Sequence, residues 1–110
     1  MDWQQAKDNT IRYWRNLRDS IGRLNEVELL REINAVNDLC EKAKEEGHGQ
    51  LDRCEHCIAY QQFGGCMGVS LQMSEKVVDG DLEGLRRLVS RFIGQLEDLK
   101  VPATRDGSPL

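Results

Sequence analysis

Four cysteines, Cys40, Cys54, Cys57 and Cys66, fall within 27 residues in the order C-x13-C-x2-C-x8-C. Thiolates are soft ligands, and four of them converging on one point form the tetrahedral set that holds zinc, with sulfur at about 2.3 Å. The same donors also ligate iron–sulfur clusters. A C-x2-C pair alone can cycle between dithiol and disulfide. Three chemistries are therefore open. The N-terminal segment MDWQQAKDNTIRYW carries acidic residues and no apolar h-region, so a cytoplasmic protein without an export signal is expected. In a reducing compartment, clustered cysteines point to metal or redox chemistry rather than structural disulfides.

Whether the four sulfurs can meet depends on the elements that carry them. On a helix starting at Asp52, Cys54 and Cys57 project from one face, within the first turns, where unpaired amides and the helix dipole favour thiolate over thiol. A hairpin turning near His48 brings Cys40 level with about residue 56, facing that pair. Cys66 sets the strictest condition. On an uninterrupted helix it would lie nine residues past Cys57, about 13.5 Å along the axis and on the opposite face. Gly64-Gly65 removes the obstacle, because glycine accepts the positive φ of a tight reversal. His56 is two helical residues beyond Cys54, about 200° away, and is expected to face solvent. His48, in the glycine turn, is the substitute ligand. The C-x2-C is not followed by histidine but by Ile58, which excludes c-type haem attachment.

The surrounding pattern is helical throughout. Trp14, Leu17, Ile21 and Leu24 recur at 3-4 spacing along a first helix from Trp3 to Ile21, opened by Asp2 with Gln5 and closed by Gly22. A second helix opens at Asn25 with Glu28, carries Leu29, Ile33, Val36 and Cys40 on one face, and runs to Gly47-His48-Gly49. The third opens at Asp52, breaks at Gly64-Gly65 and continues from Cys66 to Val78. Asp81 caps the last helix, whose apolar stripe is Leu82, Leu85, Val89, Phe92, Leu96 and Leu99, and Pro102 ends it. Short connections imply antiparallel neighbours. The expected fold is all-α: an antiparallel four-helix bundle with the third helix broken at Gly64-Gly65 and the four-cysteine cluster between helices two and three. It would form one domain over residues 1–101, with a disordered tail over residues 102–110.

Composition narrows the function. The chain has 110 residues, a net charge of −4, and 39% hydrophobic against 31% charged residues. No apolar run is long enough to span a membrane. The acidic balance argues against a nucleic-acid-binding surface. Residues 26–55 hold nine acidic and four basic side chains. Arg12, Arg15 and Arg18, like Arg86, Arg87 and Arg91, read as solvated faces laced with ion pairs. The apolar fraction is lean, so a metal staple would supplement a thin core.

Two families offer partial likenesses. The C-x2-C with Glu41 upstream faintly resembles the alkylhydroperoxidase D proteins, all-helical thiol peroxidases. Gln61 stands where their motif has histidine, so the proton relay does not carry over. Four cysteines in a small helical chain also resemble the WhiB-like iron–sulfur regulators, without their closing cysteine spacing or their tryptophan- and glycine-rich turn.

Phosphate-binding loops, H-E-x-x-H and G-x-S-x-G are absent, and zinc held by four thiolates has no open position for water. The expectation is a non-enzymatic metal-binding module with zinc at Cys40, Cys54, Cys57 and Cys66, presenting a surface that includes Tyr13 or Tyr60 to a protein partner. An iron–sulfur redox sensor or electron carrier is the first alternative, and a Cys54/Cys57 dithiol oxidoreductase the second. A homodimer and a monomer would bury the same stripes.

Overall fold

The computed structural model describes residues 1–46, 56–64 and 67–102. Its architecture is all-helical, with no strand among the described residues. Helix α1 spans Trp3–Ser20 and tightens into a 3-10 turn at Ile21–Arg23. Its start is fixed by Asp2, whose carboxylate accepts the Gln5 amide at 2.8 Å. Ala6, Thr10, Ile11, Trp14, Leu17 and Ile21 are buried along it, the 3-4 spacing that lines one helical face. Helix α2, Glu26–Ile33, opens with a complete capping box. The Asn25 side chain accepts from the Glu28 amide at 2.8 Å, and Glu28 accepts from the Asn25 amide at 2.9 Å.

The single helix expected from Asn25 to residue 47 is instead two helices, α2 and α3, the latter spanning Asp38–Glu46. The break falls at residues 34–37. Val36, placed by its spacing on the buried face, lies in that break and is 53% exposed. Asparagine explains the interruption, because its side chain competes with the backbone for local hydrogen bonds. Asn34 caps the end of α2 with its Nδ2 on the Leu30 carbonyl at 2.7 Å, and Asn37 Oδ1 accepts the Cys40 amide at 3.0 Å.

Beyond lie α4, Ile58–Phe63, α5, Met67–Asp79, and α6, Leu82–Glu97. Gly64, at φ 90°, ends α4 in the left-handed conformation, so the break expected at the glycines is present. Gly80, at φ 74°, turns α5 into α6. The Asp81 side chain caps α6 by accepting the Gly84 amide at 2.8 Å. That helix ends at Glu97, before the expected stop at Pro102. Residues 103–110, most of the expected tail, lie outside the described residues.

Helices α1 and α6 pack antiparallel. Lys7 near the start of α1 donates to the Glu97 and Leu99 carbonyls at 3.0 and 2.8 Å, while Trp14 meets Phe92 edge-on with ring centroids 5.2 Å apart. Helix α5 covers α6 and also supports α2, whereas α3 rests on α1 and α4 on α3. The break at residues 34–37 thus lets the two halves of one expected helix pack on different partners. Their shared core runs from Ala6 through Leu29, Leu39, Ile58, Met73 and Phe92 to Leu99. Each large side chain fully buried there contributes roughly 1.5–3 kcal/mol. Among the described residues no helix is long and apolar enough to cross a membrane.

Candidate functional site

Cys40 lies in the first turn of α3 and is half-buried, with its amide held by Asn37. Cys57 is 9% exposed within the apolar core. It is the N-cap of α4, with φ −89° and ψ 127°. This extended backbone corrects one expectation. Cys57 stands before the helix rather than within it, so the helix expected to run through this residue is not continuous at Cys57. Cys57 itself makes the transition, and its carbonyl accepts the Gln61 amide at 3.0 Å. Cys54 and Cys66, with Asp52 and His48, lie outside the described residues.

Cys40 and Cys57 nevertheless belong to two helices that pack together, α3 and α4. Among the described residues no group of three or more histidine, cysteine or carboxylate side chains is placed to hold a metal ion. Two of the four proposed ligands stand outside that comparison. His56, expected to face solvent, is half-buried in a turn directly before Cys57. The α4 region is also fastened to the end of the chain's helical part. Gln62 Nε2 donates to the Lys100 carbonyl at 2.6 Å, and Gln62 Oε1 accepts the Lys100 amide at 2.8 Å. Phe63 adds an edge-on contact to Phe92, centroids 6.0 Å apart.

The arginine-rich face of α1 is interleaved with acid. Arg12 and Arg15 share a shallow groove with Asp8 and Asp19. Arg15 pairs with Glu97, and Arg18 with Asp19 at 3.7 Å. Such exposed pairs contribute little individually.

A second feature was not evident in the sequence. Tyr13, Asn16, Leu17, Ser20, Leu24 and Glu32 line a cleft of about 230 Å³. The Tyr13 hydroxyl lies 2.6 Å from Glu32 Oε2 and 2.7 Å from the Glu32 carbonyl. Burial, followed by the hydrogen bond and the charge of Glu32, pushes the Tyr13 hydroxyl above the ordinary tyrosine range. It therefore stays protonated and acts as the donor. Tyr60, the other aromatic expected to face a partner, is 48% exposed.

Compared with known proteins, the chain matches no protein-family model, no curated protein and no solved structure.

Proposed function

We propose that this chain is a small non-enzymatic helical module of the cytoplasm, stapled by zinc at Cys40, Cys54, Cys57 and Cys66, that presents its surface to a protein partner. The observation that supports the reading is the packing of α3 on α4, which joins the helix carrying Cys40 to the one capped by Cys57. The expected cluster between the second and third helical segments needs that junction. Zinc bound by four thiolates would be structural, because it leaves no position for a substrate or water. The reducing conditions of the cytoplasm keep the cysteines available as ligands.

Metal analysis of anaerobically purified protein, with thiols counted before and after chelation, tests the reading. One zinc per chain, with thiols that become reactive only after chelation, is the expected result. Visible absorption with bound iron would replace zinc by an iron–sulfur cluster. Four reactive thiols with no metal would overturn both.

A further inference from the structure

We propose that the outer face shared by α2 and α5 pairs with the same face of a second copy of this chain, α2 of each copy lying on α5 of the other. This goes beyond the zinc reading and is independent of it, since neither helix carries a cysteine. Val27, Leu71 and Val78, at 70%, 65% and 64%, are the most exposed large apolar side chains among the described residues. One exposed leucine needs no explanation, but several gathered on one face mark an interaction surface. The 3-4 spacing puts Val27, Leu30 and Asn34 on one side of α2, and Leu71, Ser74 and Val78 on one side of α5. Asn34 Nδ2 donates to Ser74 Oγ at 3.4 Å, so the two sides adjoin.

The direction of α2 follows from its neighbours. Because α1 and α6 are antiparallel, the 3-10 turn after α1, which touches α6, lies near the start of α6 and the Gly80 turn. Helix α2 therefore leaves that end and runs antiparallel to α5 until Asn34 meets Ser74. Arg31 and Glu75 then stand within about 3 Å of one level along the helix axes. Each follows an exposed apolar residue, Val27 or Leu71, by four positions, which turns it about 40° away from the Asn34–Ser74 seam. Arg31 thus borders the face on the α2 side and Glu75 on the α5 side. Both are exposed, and neither forms an ion pair among the described residues. A two-fold axis along the seam lays each α2 on α5 of the second copy. It sets Arg31 beside Glu75 of the second copy, twice over, with Val27 and Leu30 against Leu71 and Val78. A two-fold axis across the seam would set Arg31 on Arg31 and Glu75 on Glu75. Charge selects the first arrangement, and it selects a second copy as occupant because one face carries both halves of each pair. Glu26 and Asp79, at the end near the Gly80 turn, stay in water at the rim.

The face is small. Two helices about 10 Å apart and about 20 Å long cover roughly 400 Å² per subunit, against roughly 800 Å² in a standard interface. The expected dimer is therefore weak, with a dissociation constant on the order of 100 µM. The test uses the full chain labelled with nitrogen-15, in a reductant that prevents disulfide-linked pairs. Between about 10 µM and 1 mM, the amide signals of residues 27–34 and 71–78 are expected to shift as the sedimenting mass rises. Arg31→Glu and Glu75→Arg should each weaken pairing about tenfold, because each turns two rim pairs of the dimer repulsive. An equimolar mixture of the two variants should pair about as tightly as the unaltered chain, because every rim contact between them again joins opposite charges.

A mixture that pairs no more tightly than its separate variants would overturn the proposal. Misfolding, or association through an unrelated surface, is not mended by mixing. Unaltered chain that stays monomeric at about 1 mM would overturn it without any variant, and would leave the face to a different protein. Signals of residues 27–34 that move at every concentration when residues 103–110 are removed would give the face to the chain's own end instead. Zinc measured on the same samples separates the two readings. Pairing by metal-free chain refutes only the zinc site, and zinc-loaded chain that stays monomeric refutes only the pairing.

Discussion

The side chain of Thr10, buried in the middle of α1, accepts the backbone amide of Leu39 at 3.3 Å across 29 residues of sequence. The first amides of a helix have no partner within it. In α3 one is satisfied by Asn37 and another by this threonine of a different helix. Asn9 Nδ2 adds a hydrogen bond to Asp38 at 2.8 Å. The start of α3 is thus set partly by α1. Thr10→Val keeps the volume but strands the Leu39 amide, and should lower the unfolding free energy by about 1–2 kcal/mol in urea titrations. Thr10→Ser retains the acceptor and should recover much of that loss. Equal destabilisation by valine and serine would show that the hydroxyl has no such role.

That contact also explains which parts of the fold were legible. The capping pattern at Asp2, Asn25 and Asp81 and the glycine break at residue 64 are local chemistry, and each acts where the sequence places it. The division of the second helix was not legible from its apolar stripe. Leu29 and Ile33 are buried as the stripe requires, yet Val36 is exposed, because asparagines at both ends of the break and Thr10 from α1 stabilise two shorter helices. Asn34 and Asn37 were the available signal. Cys40 lies in α3 and Cys57 caps α4, two helices that pack together, but the extended backbone at Cys57 carries no spacing signal of its own. The contacts of Glu32 with Tyr13 and of Gln62 with Lys100 arise only after tertiary packing, and no spacing rule announces them.

Two glycines of α6 should respond oppositely to the same substitution. A methyl group at Gly94 meets nothing within 4 Å, whereas one at Gly84 would run into the Asp81 carboxylate. Gly94→Ala is expected to stabilise by about 0.5–1 kcal/mol, because alanine loses less backbone freedom in a helix. Gly84→Ala must displace the capping carboxylate, so its gain in propensity is offset by the lost cap. Thermal unfolding should show a higher midpoint for the first variant and none for the second. A comparable rise for both would mean that Asp81 can cap α6 without the space left by Gly84.

The same carboxylate gives stability a pH dependence. The Gly84 amide, then the Lys76 ammonium, hold Asp81 below the usual aspartate range. Its ionised form is favoured in the folded state, so its contribution is complete above the unfolded pKa of about 3.9 and is lost as pH falls through the lowered folded value. Asp81→Asn should therefore show a smaller loss of thermal midpoint on acidification below about pH 4 than the unaltered chain. An identical acid profile would show that the cap is not coupled to titration of this group.

Gln62 fastens α4 to the chain leaving α6 with two hydrogen bonds to the Lys100 backbone. Both are exposed, so their net contribution should sit at the low end of the usual range, about 0.5–1 kcal/mol. Their mechanical consequence is local. Gln62→Ala should accelerate hydrogen exchange at Lys100, while protection at Val89 and Phe92 in the centre of α6 stays near that of the unaltered protein.

The zinc reading makes a separate demand on Cys57. If this residue were only a small apolar side chain in the core, Cys57→Ser would cost about 1–3 kcal/mol for burying a hydroxyl, whether or not metal was supplied. If it is a ligand, metal binding is coupled to folding, so the variant should lose zinc and much of its metal-dependent stability together. The effect should begin in α4. Chelation of the unaltered protein should speed amide exchange over Ile58–Phe63 before it reaches α1 and α6, which Trp14 and Phe92 hold together through an apolar contact. Exchange measured with and without chelator, beside zinc content for Cys40→Ser and Cys57→Ser, distinguishes these cases. Unchanged zinc content in both variants would exclude the four-cysteine site even if the chain bound zinc elsewhere.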